Sequence, residues 1–237
     1  MPMHRDIDFI PWYRELQAGF DDCRTPDEML GELDRQVRGL GFDCFAHGHR
    51  RCLPFSEASL VFDGTYPGEW LSRCGGQEQV GRSALQLAQG CGFALWSRAE
   101  SPCAAVPGDV RELGMAWGAA AAGWGRDRGL SVLCVARRAG RPSAGDRLLL
   151  KATLRALADV LDEHLSPLLQ PEPGARLSER EVEILRWIAD GKCSKGAAQA
   201  LGLSENTVNW HIKRIQRKFK SPNRVWVAAR AAALGLI

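Results

Sequence analysis

Long apolar runs are missing from this chain of 237 residues. Its least polar stretch, Gly114 to Gly125, is broken by glycines and is far shorter than the ~20 residues that a membrane-crossing helix needs. Residues Met1 to Phe20 carry Arg5, Asp6, Asp8, Arg14 and Glu15 and no apolar core segment. That is not the pattern of a secretory leader, so a cytoplasmic location is expected. Eight cysteines are present, yet none forms a C-x-x-C pair and none stands beside a histidine at zinc-finger spacing. They are expected to be reduced and mostly buried as small side chains, with Cys74, Cys91 and Cys134 able to line one cavity. The five histidines are scattered, and no metal is expected. A glycine-rich phosphate loop, a Ser-His-Asp arrangement and a marked carboxylate pair are all lacking, so neither enzymatic activity nor a cofactor is expected.

The charge that is present is unevenly placed. Twelve Lys and Arg against five Asp and Glu lie between Gly174 and Ile237, a net +7, whereas the rest of the chain holds nineteen basic and twenty-three acidic residues, a net −4. A basic tail on a mildly acidic body points to a polyanionic partner for the tail. Between the two, Ser166-Pro-Leu-Leu-Gln-Pro-Glu-Pro-Gly-Ala175 carries three prolines and a glycine. It reads as a linker, residues 166–175, separating domains at residues 1–165 and 176–237.

In the N-terminal part, Thr25-Pro26 is an N-cap followed by a proline at the first helical position. Met29, Leu30, Leu33 and Val37 then recur at helical spacing until Gly39 and Gly41. Strands are expected at Phe42–His49, Ser59–Phe62, Gly92–Trp96, Ala119–Trp124 and Leu130–Arg137, with Ser131–Ala136 the clearest. A long helix over Ala144–Leu165 follows, its apolar face built from Leu148, Leu149, Ala152, Leu154, Leu157, Val160 and Leu161. The chain is thus of the α+β class, with a sheet covered by helices on both faces in an α/β/α sandwich.

The C-terminal part reads as four helices. Ser178-Glu-Arg-Glu181 is a capping box, followed by Val182, Leu185, Ile188 and Ala189 at helical spacing and a stop at Gly191. A short Ala-rich helix spans Ser194–Leu201 and ends at Gly202. Ser204 caps a third helix with Val208, Ile212, Ile215 and Phe219 on one face, and Asn223 caps a fourth that ends at Gly235. A short helix, a glycine turn and a second helix with a basic face form a helix-turn-helix. Away from its apolar stripe the third helix carries Asn206, Asn209, His211, Lys213, Arg214, Arg217 and Lys218; asparagine can bind adenine in bidentate fashion and lysine can donate to guanine. Its further Arg and Lys residues can neutralise phosphates.

At Leu177–Lys192 and Leu203–Phe219 the sequence resembles the DNA-binding domain of LuxR-type regulators, with Glu181, Leu185 and Gly191 on signature positions. The resemblance implies double-stranded operator DNA as a partner. It places Asn209 and Lys213 at base-reading positions and Thr207, Arg214, Arg217 and Lys218 near phosphates. Gly196-Ala197 departs from a Glu-Ile pair common in the family, and glycine inside a helix costs roughly 1 kcal/mol. Such domains also end response regulators, but Asp21-Asp22 precede the first clear strand rather than following it, which argues against a receiver domain. The N-terminal part instead resembles the acyl-homoserine-lactone-binding domain of quorum-sensing LuxR-type regulators, the RhlR and CepR subgroups above all. Leu40–Ala46, Thr65-Tyr-Pro-Gly-Glu-Trp70, Trp96, Gly118 and Gly129–Arg137 carry the likeness.

Within that resemblance the ligand pocket departs from the pattern. Tyr66, Trp70 and Trp96 fall on pocket positions, and the Trp70 indole is implied as the donor to the lactone carbonyl. The family's tyrosine four residues later is Cys74. The Asp-Pro pair whose carboxylate accepts from the signal's amide N–H falls on Gly81-Arg82, and a serine of the last strand is Cys134. An expected aromatic near Val106-Pro107, before Arg111–Gly114, is also missing. A buried amide without its acceptor costs roughly 1–3 kcal/mol, and Arg82 would bring a charge to the pocket. Poor binding of ordinary acyl-homoserine lactones and ligand-independent action are therefore expected. The alternatives are a non-canonical signal, or an anti-activator that forms mixed dimers with other LuxR-type receptors. A homodimer is the expected DNA-binding form.

Overall fold

Every strand pairing among the described residues is antiparallel. The computed structural model describes residues 8–50, 60–74, 78–97, 114–125, 129–140, 146–169 and 176–237, and the chain divides into two compact units between Leu169 and Gln170. The first contains α1 (Phe9–Asp21), α2 (Pro26–Gly39), β1 (Cys44–Arg50), β2 (Val61–Gly64), α3 (Gly68–Cys74), α4 (Glu78–Gln89), β3 (Phe93–Ser97), β4 (Trp117–Trp124), β5 (Leu130–Arg137) and α5 (Asp146–Leu169). The sheet order is β2-β1-β5-β4-β3. The segment with the strongest β pattern, β5, is therefore the middle strand, and Cys134 lies between Ala46 of β1 and Ala120 of β4.

Alternation of side chains along each strand sends successive residues to opposite faces. Phe45, Ala119, Leu133 and Val135 face a core shared with Leu16 and Phe20 of α1, Leu33 and Val37 of α2, and Leu154, Leu157 and Leu161 of α5. Ala46, Ala120, Ala122, Val132 and Cys134 face a second core built with Trp70 of α3 and Val80, Ala84 and Leu87 of α4. This is the expected sandwich. Local chemistry starts α2 where the sequence predicts: the Thr25 hydroxyl accepts from the Glu28 N–H, and the Glu28 carboxylate accepts from the Thr25 N–H.

Three helices of this unit were not expected from the sequence. Asp8 makes no side-chain cap to α1, and α3 and α4 lie among polar residues with few apolar anchors, so tertiary burial decides them. The long helix also differs from its expected face. Leu148 is 77% exposed and Ala152 is exposed, while Leu150, Leu154, Leu157, Leu161 and Leu165 are buried. It continues past Ser166 to Leu169 with Pro167 inside it, because buried Leu165 and Ser166 anchor the turn that the proline enters. Ser59, Val106, Pro107, Arg111, residues 170–175 and Ala144 lie outside the described residues.

The second unit contains α6 (Glu179–Ala189), α7 (Ser194–Leu201), α8 (Glu205–Lys218) and α9 (Arg224–Ala233). The caps are those expected: a Ser178/Glu181 capping box, Ser204 accepting from the Thr207 N–H, and Asn223 accepting from the Val225 and Trp226 N–H groups. Gly202 ends α7 in the left-handed conformation, φ +65°, which glycine adopts without a Cβ clash. Ile184, Leu185, Val208, Ile212, Ile215, Val227 and Ala231 form a separate core.

Two measurements check this packing. A methyl group on Gly196 would approach no atom closer than 3.7 Å. Gly196→Ala is therefore expected to raise the stability of the second unit by about 1 kcal/mol, and a loss of stability in denaturant titration would contradict the account. His164 ties α5 to α1, its Nδ1 2.9 Å from the Val160 carbonyl and its Nε2 3.0 Å from Asp21 Oδ1. Two acceptors call for two ring N–H donors, which is the charged imidazolium. Burial pulls the His164 pKa down, but the bonds to Asp21 and Val160 outweigh it and hold the pKa above the ordinary value. A raised folded-state pKa stabilises fully below the unfolded value of about 6.5 and is lost as pH rises through the folded value. The melting difference between wild type and His164→Ala should then be full below about pH 6.5 and shrink as the pH is raised from there. A difference that stays constant as the pH is raised would show that the tie carries no charge.

Candidate functional sites: the α8 surface and the indole-bearing sheet face

Helix α8 is held by its apolar stripe, Val208, Ile212 and Ile215, all buried against α6, α7 and α9. At about 100° per residue, Asn206, Trp210, Lys213 and Arg217 lie on the opposite side, and all four are exposed. Asn209 is half-buried beside them and Arg214 exposed. The Thr207 hydroxyl lies 2.8 Å from the Ser204 hydroxyl, at the N-terminus of α8, where helix N–H groups and the helix dipole favour an anion. Thus Asn209, Lys213, Arg214, Arg217 and Thr207 share one continuous surface, as the sequence predicts.

Lys218 behaves differently. Its ammonium donates to Glu181 Oε2 at 2.5 Å and to the Arg176 carbonyl at 2.8 Å. Glu181 is fully buried, so Lys218 forms an internal ion pair that joins the last turn of α8 to the first turn of α6. Burial raises the Glu181 pKa, but the bonds from Lys218 and from Ser178 outweigh it, and the carboxyl sits below its ordinary range. Arg214 Nε is 3.7 Å from the same carboxylate, and its guanidinium lies 4.8 Å from the Trp210 ring centre. The Trp210 ring meets the edge of His211 at 4.9 Å. Burial lowers the His211 pKa, Glu181 raises it, and Arg214 and Arg180 lower it again; the net position is below the ordinary value, so His211 is neutral at pH 7. Trp210 was not singled out by sequence reasoning, although its position opposite the apolar stripe was available to mark it.

In the first unit, Tyr66, Trp70, Trp96 and Cys134 come together on one face of the sheet. Tyr66 and Trp70 rings lie 4.6 Å apart, and Phe62 meets Trp70 edge-on at 5.8 Å. Gly118 pairs directly with Trp96, and a Cβ there would come within 2.3 Å of the Trp96 ring, so the glycine makes the room that the indole fills. The indole N–H groups of Trp70 and Trp96 are buried without a hydrogen-bond acceptor; the Trp117 indole on the opposite face shares that condition. The other buried side chains on the Trp70 face are almost all hydrocarbon or thiol, and among the described residues none is a carboxylate. Burial pushes the Cys44 thiol up to about 12, which makes it inert.

Two expectations are corrected on this face. Arg82 is exposed, because Val80, Ala84 and Leu87 at helical spacing turn α4 inward on its other side, so Arg82 brings no charge to the indoles. Cys91 is exposed too, its thiol donating to the Phe93 carbonyl, and is no part of a cavity with Cys134. Cys74 is the last residue of α3, and Gly81 lies in the first turn of α4.

Residues 175–231 match the family described as bacterial regulatory proteins, luxR family, and residues 25–165 match the autoinducer binding domain. The chain belongs to the LuxR family. It is a LuxR-type quorum-sensing transcriptional regulator. The quorum-sensing regulator RhlR of Pseudomonas aeruginosa is 36% identical over 99% of this chain and all of its own length. SdiA of Escherichia coli is 31% identical over 98% of this chain and all of its own. The crystal structure of Escherichia coli SdiA covers 97% of this chain and 99% of its own with a TM-score of 0.73. The helix-turn-helix of this LuxR-type chain implies DNA as its partner, and among its described residues no helix is long and apolar enough to cross a membrane.

The internal role of Lys218 is directly measurable. Lys218→Met should lower the melting temperature of the second unit, because removing one partner leaves the buried Glu181 charge uncompensated, while the slope of DNA affinity against salt stays that of wild type. A slope reduced by about one charge would return Lys218 to the phosphates.

Proposed function

We propose that this regulator binds operator DNA as a homodimer through α8 and that its N-terminal domain responds to an acyl ligand other than an ordinary acyl-homoserine lactone. The observation that carries the DNA reading is the exposed polar surface of α8. Asn209 and Lys213 would read base edges, Arg217 and Arg214 would neutralise phosphates, and Thr207 would sit where the helix N-terminus meets the backbone. Helix-turn-helix dimers engage two half-sites about one DNA turn apart. The long helix α5, with Leu148 exposed in its first turn, is the candidate dimer element.

The ligand reading rests on Trp70 and Trp96. They offer two buried N–H donors, while the position matched to the family's amide-accepting aspartate is Gly81. A ligand with carbonyl acceptors and no amide N–H satisfies the indoles without burying an unpaired amide donor, provided its hydroxyl groups reach water or an acceptor. An acyl amide loses roughly 1–3 kcal/mol there, or about 5- to 150-fold in affinity. A medium-chain acyl ester of a small polyol has that chemistry. A supporting case is the structure of SdiA in complex with octanoyl-rac-glycerol, which is 29% identical to this chain, covers 98% of it and has a TM-score of 0.71. Two buried donors without acceptors favour a different signal over wholly ligand-independent action.

The DNA assignment is tested by selecting duplexes from a random-sequence library with the full chain and comparing variants on the selected sites. Lys213→Ala is expected to cost about 1–3 kcal/mol and to relax discrimination at one base position. Arg217→Ala is expected to weaken all duplexes alike and to reduce the salt slope by about one. If neither variant changes binding, α8 is not the recognition helix.

A further inference from the structure

Trp210 is 54% exposed at the centre of the face of α8 that points away from the core. A bare indole among basic side chains is costly to leave in water, and on this face its neighbours within about one helical turn are Asn206, Asn209, Lys213 and Arg214, with Arg217 two turns on. Two contacts fix its orientation: the Arg214 guanidinium lies over the ring, and His211 abuts it edge-on. Arg214 is itself steadied from below by the buried Glu181 carboxylate. The ring is therefore presented as a rigid apolar plate between the side chains that recognise hydrogen-bonding base edges. In the major groove, the one apolar feature of base identity is the thymine C5-methyl.

We propose that Trp210 reads a thymine methyl, adding an apolar determinant to the polar code of Asn209 and Lys213. This rests on α8 being the recognition helix, and it makes operator recognition depend on a group that no hydrogen-bonding residue of α8 can sense. Arg214 then has two roles joined by the stacked ring: it holds the indole flat, and the indole holds it towards the phosphate backbone.

The experiment uses the full chain and a duplex that it selects from a random-sequence library. Each dT is replaced singly by dU, which deletes only the methyl group, and affinities are measured for wild type, Trp210→Ala and Lys213→Ala. Burial of one methyl corresponds to about fourfold in affinity. At one thymine of the half-site, dU should weaken wild type about fourfold and leave Trp210→Ala unchanged, while Lys213→Ala still loses affinity on that substitution. Trp210→Phe, which keeps an apolar plate, should retain part of the preference. The proposal is overturned if Trp210→Ala binds the dT duplex as wild type does, or if its loss is the same on dT and dU duplexes at every position. If Lys213→Ala also binds as wild type, the fault lies with the recognition-helix assignment rather than with Trp210. Because Trp210 is exposed, a melting curve equal to that of wild type is expected and separates a binding defect from misfolding.

Discussion

A sheet buried on both faces is the constraint from which the N-terminal unit follows. Strand β4, Trp117-Gly-Ala-Ala-Ala-Ala-Gly-Trp124, is a poor strand former on intrinsic preference, yet it is next to the middle of the sheet. Its small residues are what the two layers require. Ala119 and Ala121 let α5 approach on one side. Gly118 admits the Trp96 ring on the other, and at Gly123 the Arg155 guanidinium occupies the volume that a side chain would take, donating to the Ala122 carbonyl at 3.0 Å. The Trp96 indole has its position because β4 gives up side-chain volume at Gly118. A larger residue at Gly118 would meet both the Trp96 ring and the Val135 carbonyl oxygen of β5, each at 2.3 Å.

In the DNA-binding unit one buried carboxylate has a comparable place. Glu181 belongs to the capping box of α6, accepts from Lys218 at the end of α8, and lies near Arg214, which in turn stacks on Trp210. The stability of the unit and the posture of the exposed α8 side chains therefore share a group. In a segment of net +7 the single fully buried charge is negative, and it orders the cations around it.

The sequence revealed most where local chemistry leads to a unique structure. The capping boxes at Thr25 and Ser178, the Gly202 turn and the β-branched run of β5 all mark elements whose backbone bonds are settled within a few residues. It revealed least where long-range burial decides. Helices α1, α3 and α4 were not expected, Asp8 making no side-chain cap to α1, and the face of α5 was misjudged at Leu148 because a leucine-rich helix offers more than one apolar stripe. On the sites, the α8 residues were legible from periodicity and charge. Lys218 was assigned outward because its buried partner, Glu181, lies 37 positions earlier in the chain, and Arg82 was placed inward because counting along the chain does not show which side of α4 is covered. Trp210 passed unnoticed because an apolar residue on a basic face fits neither the core pattern nor the charge pattern.

In the proposed reading, the sheet face that carries Trp70 and Trp96 offers buried N–H donors and, among the described residues, no carboxylate, and α8 would combine polar and apolar recognition of DNA. The most direct test of that account is thermal melting of the full chain, purified from cells that make no homoserine lactone, with N-octanoyl-homoserine lactone or octanoylglycerol at equal concentration. The account predicts that the glycerol ester raises the melting temperature by roughly 5 °C at saturation and that the lactone has little effect. A lactone shift as large as that of the ester, or no shift with either, would contradict it.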